Sequence, residues 1–342
     1  ELQGRRQAAI KEISAAGLTA VVGFAGVVES PWQVGLALGS IASDVDTDAA
    51  LLPSMLDSDA SLRDSFLYGY VSARFQASGM PWVEQLKIEA WAPSQIGQFF
   101  TFLPFSPDVW RSVSEFLGED ESPYWTRTFA NAYQTNGALE LAVDKLLKYE
   151  RPVAAIRCLG KMRLSEMPVE STMVVRALLG ALRSDEPTGR MDSHHIVELI
   201  KLLQGDSSAN RDEVANVEWA YLRLLDHGSE THPQTLERRM ANEPGFYLDV
   251  IRLVFRSKNE EHQDRPESTE SEKTAASNAY RLLNRWQIPP GCTDDGQMDP
   301  NRLNIWLDEV KLQSEESGHF DIAMSVVGQV MTHAPADPGG LW

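Results

Sequence analysis

Cysteine is nearly absent from this chain. The two residues present, Cys158 and Cys292, lie far apart in the sequence, and neither has a second cysteine or a paired histidine at ligand spacing. That excludes a disulfide framework and a recognisable zinc motif, and it points to a reducing cytoplasm. Basic charge is also in short supply. Lys and Arg number 31 against 49 Asp and Glu, a formal net charge of −18, so no phosphate-neutralising surface dominates and nucleic acid is not an expected partner. Long apolar runs are missing too. The best candidate, Ile13 to Ala42, is broken by Glu29 and Pro31 into uncharged runs of about 16 and 14 residues, short of the roughly 20 that a bilayer span requires. Apolar-patterned sequence continues where a cleavage site would be expected, so buried helices fit this stretch better than a membrane anchor or a signal peptide.

Catalytic signatures are equally scarce. Gly160-Lys161 is followed by Met162 and has Ala155 where a phosphate-binding loop needs its first glycine. Gly23 and Gly26 sit in an apolar run that follows no strand, so they make no dinucleotide fingerprint. Neither G-x-S-x-G nor H-E-x-x-H occurs, and no cofactor is expected. The best metal-like cluster is His194, His195 and Glu198, which share a helix face at spacings of three and four; His227 and His232 would complete it only if the fold brought them near. Solvated or capping histidines are the simpler account, and a metal-dependent hydrolase at that cluster is the alternative functional reading. Glu119-Asp120-Glu121 precede Ser122-Pro123, where a helix dipole favours acids. Asp294-Asp295-Gly296 with Asp299 offers oxygen ligands but not the spacing of a calcium loop.

What the chain does have is helical period. Apolar residues recur at three and four almost throughout, as in Leu139, Ala142, Leu146 and Leu147, and strict alternation is hard to find. Pro31, Pro81, Pro93, Pro107, Pro123, Pro152, Pro233 and Pro244 mark helix starts, with Ser106, Ser122 and Asp192 as caps. Nineteen helices are expected, among them 81–91, 123–134, 192–204 and 211–227. The fold class is therefore all-α. Second helices of successive pairs begin near Pro81, Pro107, Ala138 and Glu170, at intervals close to helical-repeat periods, which suggests stacked antiparallel pairs in an irregular α-solenoid of the TPR/HEAT kind. The tetratricopeptide, ankyrin and armadillo consensus patterns do not match.

The segment 257–273 lacks any large apolar side chain and reads as an acidic linker. It divides an array at 1–256 from a C-terminal helical unit at 274–342. Much of the acid excess falls in loops, helix starts and this segment, where acids solvate or cap. Gly35 and Gly39, four apart, suit a close helix crossing. Trp82, Trp91, Trp110 and Trp125 recur with the pairs and read as packing anchors or as an exposed aromatic ridge for a protein partner.

The run GHFDIAMSVVGQVMTHAPADPGGLW from Gly318 to Trp342, preceded by Trp306-x-x-x-Val310-Lys311, resembles the distal helical region of large bacterial proteins of the STAND type, which link signalling or phage defence to a nucleotide-binding module. The resemblance implies a recognition or scaffolding arm, with the effector elsewhere. Glu1 to Ala9 look like mid-helix and the chain stops on Leu341-Trp342, as an excised piece of a longer protein would. The leading expectation is a non-enzymatic interaction, scaffold or sensor region, and no catalytic residue carries over.

Overall fold

The computed structural model describes residues 2–42, 45–56, 61–225, 231–258, 268–293 and 297–332. Helical spacing and proline punctuation produce twenty α-helices, and no strand, among these residues. A single isolated bridge joins Cys292 to Met298. Contacts divide the chain into two compact units. The first, Glu1–Pro168 with Ser184–Glu186, holds α1 (Leu2–Ser14), α2 (Leu18–Ala25), α3 (Pro31–Ile41), α4 (Val45–Leu56), α5 (Ser61–Ser78), α6 (Met80–Gln85), α7 (Pro93–Thr101), α8 (Pro107–Leu117), α9 (Ser122–Trp125), α10 (Leu139–Lys148) and α11 (Pro152–Leu164). The second, Val169–Arg183 with Pro187–Trp342, holds α12 (Ser171–Ala181), α13 (Arg190–Gly205), α14 (Arg211–Ala220), α15 (Leu222–Leu225), α16 (Gln234–Asn242), α17 (Pro244–Val254), α18 (Glu270–Arg285), α19 (Pro300–Ser317) and α20 (Phe320–Met331).

Proline sits in the first turn at Pro31, Pro81, Pro93, Pro107, Pro123, Pro152 and Pro244, where its missing N–H costs nothing and its fixed φ favours the helix. The expected Ser106 cap makes no capping bond. Helix α13 starts two residues before the predicted 192, because the buried Asp192 carboxylate reaches back to accept the Gly189 N–H at 2.6 Å. The expected 81–91 helix ends at Gln85 and resumes as a 3-10 turn, Ile88–Ala90, and the 211–227 helix is interrupted at Tyr221.

Helices α3 and α5 cross at backbone contact distance. A Cβ on Gly35 would lie 2.0 Å from the Phe66 carbonyl oxygen, one on Gly39 2.5 Å from that of Tyr70, and one on Gly69 2.0 Å from that of Trp32. The pair of glycines seen in the sequence thus works as a crossing site, with Gly69 as its unforeseen counterpart.

The expected division at 256 and 274 differs from the one the contacts make. Tyr247, Leu248 and Ile251 of α17 share one core with Leu282, Trp286, Trp306, Val310 and Val327 of the later helices. Tyr247 donates its hydroxyl to the Ala323 carbonyl at 2.7 Å, and Trp306 Nε1 donates to that of Met240 at 3.1 Å. The polar composition of 257–273 marks a connection between helices of one core, because its flanks bury apolar faces against each other. Residues 259–267 of that expected linker lie outside the described residues. Substantial helix packing in both units joins helices no more than three apart in chain order.

Gly35→Ala and Gly69→Ala each force backbone apart and should destabilise by about 1–3 kcal/mol or more. Gly23→Ala, which meets no atom within 4 Å, should change stability by less than ~1 kcal/mol. Urea unfolding of the three variants checks this ordering, and equal losses at all three would contradict the crossing.

Candidate functional site

The residues singled out from sequence fall into two groups. Trp82, Trp110 and Trp125 are buried in the chain's own core. Trp91 is partly covered and meets Phe99 edge to face at 5.5 Å. Rings of Phe105, Trp110 and Trp125 lie within 5.8 Å of one another by centroid. These four tryptophans pack against aromatic neighbours, Trp82 and Trp91 against Phe99 and Trp110 against Trp125, and the indole N–H groups of Trp82 and Trp125 donate to Asp48 and Glu121, so they read as packing anchors.

On α13, His194 is exposed, His195 is half-buried, and their rings stand 6.0 Å apart. Glu198 accepts a hydrogen bond from Lys201 at 2.9 Å, one turn away on the same helix. His227 lies outside the described residues, and His232 belongs to a different cluster. Among the described residues no group of three His, Cys, Asp or Glu is placed to hold a metal ion. Asp299 accepts from the Asn301 and Arg302 N–H groups as the cap of α19, while Asp294, Asp295 and Gly296 lie outside the described residues.

The structure places its polar organisation on buried carboxylates instead. Asp48 of α4 is fully buried and accepts from Tyr70 Oη (2.6 Å), Arg74 Nε and Nη2 (3.1 and 2.7 Å) and Trp82 Nε1 (2.9 Å). Four donors saturate its two oxygens. Glu121, expected merely to favour a helix dipole, is buried and accepts from Ser114 Oγ, Trp125 Nε1 and Lys145 Nζ at 2.6–2.8 Å. Burial raises its pKa, but Lys145, Ser114 and Trp125 together outweigh burial and hold it below the ordinary value.

Glu186 and Arg151 shape a loop of the first unit that exposes two aromatic side chains. Glu186 accepts from Arg151 Nε and from the Val153 N–H at 2.8 Å, capping α11 from 33 residues away. Arg151 Nη1 then donates to the carbonyls of Trp125, Thr126 and Thr128. Those carbonyls are the ones a continuing helix would need, so the expected 123–134 helix ends after one turn at Trp125. The loop that follows is fixed by the buried Thr135 and by Gln134, whose Oε1 accepts the Phe105 N–H at 3.1 Å. Asn136 and Gly137, at φ 48 and 88, turn it back into α10. Phe129 and Tyr133 on this loop are each 76% exposed, and Lys161 Nζ stands 4.8 Å from the Tyr133 ring centroid. Phe129, Ala132 and Tyr133 carry helical spacing, which concealed the loop. The Asn136-Gly137 pair was the available turn signal.

The second unit has a comparable junction. Glu218 of α14, fully buried, accepts from the Thr235 and Leu236 N–H groups at the start of α16 (3.0 and 2.9 Å) and from Gln204 Nε2 (2.8 Å). Desolvation by burial raises its pKa despite these bonds. Glu237, also fully buried, lies 3.1 Å from His232 Nδ1 and accepts the Gln287 N–H at 3.3 Å. The Glu237 carboxylate beside His232 raises the imidazole above its ordinary value against the opposing effect of burial.

No protein family, curated protein or solved structure shows a significant match to the chain.

Asp48→Ala leaves Arg74 buried without its carboxylate and should destabilise by about 3–5 kcal/mol, measurable by denaturant unfolding. In the second unit, His232 binds its proton more tightly folded than unfolded. Its stabilisation is complete below about pH 6.5 and is lost as pH rises through its raised value. The melting temperature should therefore decline between about pH 6 and pH 8. In His232→Gln that decline should flatten, and an unchanged slope would contradict the assignment.

Proposed function

We propose that the chain is a non-enzymatic α-helical interaction or scaffold region of a larger bacterial, cytoplasmic protein, and that it meets a protein partner through Phe129 and Tyr133. One observation carries this reading. Two aromatic side chains, three-quarters exposed, project from a loop whose backbone is fixed by Arg151, Gln134 and Thr135. Single exposed apolar residues are ordinary, but a pair of rigidly presented aromatics is what a binding surface needs. Little ordering entropy is then lost on association. Packing confined to helices near one another in chain order supports an irregular α-solenoid of stacked antiparallel pairs. The likeness of the Trp306–Lys311 region and the run after it to STAND-type proteins supports the role of a recognition arm whose effector lies elsewhere. The two free thiols, with Cys158 buried and raised to about 12 by desolvation, suit a reducing compartment.

Replacement of Tyr133 by the photo-crosslinking residue benzoylphenylalanine, in cells that make the protein, should give a defined protein adduct on irradiation. Phe129→Ala should abolish that adduct while leaving stability within about 0.5 kcal/mol, because the side chain is exposed. No adduct, or one indifferent to Phe129→Ala, overturns the proposal.

A further inference from the structure

We propose that the second unit carries a separate docking cleft for a short acidic peptide segment of a protein partner, bearing an apolar anchor beside its carboxylates. The inference rests on the reading of the chain as an interaction region, but it uses a different surface. Thr235, Arg238, Arg239 and Asn242 recur at three and four along α16 and so form one stripe. With Arg211, at the start of α14, they line a cleft of about 350 Å³. A second cleft of about 510 Å³ shares Asn242 and continues past Pro244, Arg302 and Ile305. Ile305 is 68% exposed, a large aliphatic side chain that lines this second cleft with Arg302.

The three arginines of the first cleft are not equivalent. Arg239 is held in place: its Nε and Nη2 donate to Glu243 at 3.2 and 3.1 Å, and its guanidinium lies 4.4 Å from the Phe246 ring centroid. Asp212 stands 3.7 Å from the same group. Glu243, the acid that lines this cleft, is thereby committed to Arg239. Arg211 and Arg238 are exposed, and neither stands within ion-pair distance of a described carboxylate; Arg211 Nη1 contacts the Gln204 carbonyl at 3.5 Å, and its charge adds to the hydroxyl and amide donors that hold the Asp206 carboxyl low. Two guanidinium groups are thus presented for planar, bidentate recognition of carboxylates. The charge of the whole chain decides the occupant. At −18, it repels an extended polyanion such as nucleic acid, whereas a segment no longer than the cleft meets mainly the arginines. Glu309, in the second cleft, disfavours a further carboxylate there and suits an apolar residue over Ile305.

The test is fluorescence anisotropy of the full chain with a short fluorescein-labelled peptide of alternating Glu and Leu. Saturable binding is expected that weakens at least about tenfold in the Arg211→Glu, Arg238→Glu double variant. Raising salt from about 50 to about 200 mM should weaken it also. Should the double variant melt early, Arg211→Gln with Arg238→Gln gives the same comparison with less perturbation. Affinity unchanged by either pair overturns the proposal, as does equal binding of the Lys and Leu counterpart peptide. Displacement by millimolar inorganic phosphate at fixed ionic strength would assign the cleft to a phosphate group, and tighter binding of single-stranded DNA would assign it to nucleic acid; both overturn it. Phe129→Ala with Tyr133→Ala should leave the peptide affinity unchanged. Loss in that variant places the peptide on the loop, so the cleft fails while the interaction reading stands. No peptide binding alongside an intact Tyr133 crosslink overturns the cleft alone.

Discussion

A carboxylate taken out of water must be surrounded by donors, and that requirement organises this helical chain. Removing an ion from water costs several kcal/mol even after relaxation, so a buried acid is tolerable only where the fold delivers enough N–H and O–H groups to it. Asp48 draws its donors from α5 and α6, and Glu121 from α8, α9 and α10. Glu186 and Glu218 go further and serve the starts of α11 and α16, whose own cap positions, Arg151 and Pro233, offer no side-chain acceptor. The first backbone N–H groups of a helix have no internal partner, so a carboxylate arriving from elsewhere in the chain satisfies both sides at once. Apolar burial brings the helices together, but it is nearly indifferent to small slips; these junctions are not, because a displacement of an ångström or two leaves a charge unpaired.

This explains which features were legible in the sequence. Helix starts were, because proline at the first turn is a local property, and so was the Gly35 and Gly39 crossing, because small residues four apart have one obvious use. The loop after Trp125 was not. Phe129, Ala132 and Tyr133 carry helical spacing, and the agent that ends the helix is Arg151, oriented by Glu186; both act from outside the local window. The acids misled for the same reason. Glu121 sits in a run of three acids before a proline, where dipole stabilisation is sufficient explanation, and nothing local says that Ser114, Trp125 and Lys145 will enclose it. The polar stretch 257–273 suggested a boundary, although the cores on either side, joined through Tyr247 and Trp306, belong together. Sites carried by long-range pairing are invisible to periodicity.

The same division separates structural from interactive residues. Of the tryptophans that invited a binding role, Trp82, Trp110 and Trp125 are buried and Trp91 is partly covered, and two of them donate to buried acids. The side chains left for a partner are fewer and elsewhere: Phe129 and Tyr133 on a loop fixed by the Glu186 junction, Arg238 on the helix that Glu218 caps, and Arg211 across the same cleft. In each unit an acid, the half-buried Glu186 or the fully buried Glu218, thus steadies the backbone next to an exposed candidate contact. The net charge of −18 therefore has two components, a solvated majority and a buried minority that sets the helix joints.

Hydrogen exchange tests this account most directly. First-turn helix amides ordinarily exchange fast because no carbonyl covers them. If Glu186 and Glu218 are the joints described, the Val153, Thr235 and Leu236 amides are protected as strongly as mid-helix amides such as that of Ile156, and Glu218→Gln releases Thr235 and Leu236 alone. Fast exchange at those three amides in the native chain, at the rate of the uncapped first turn of α10, would contradict it.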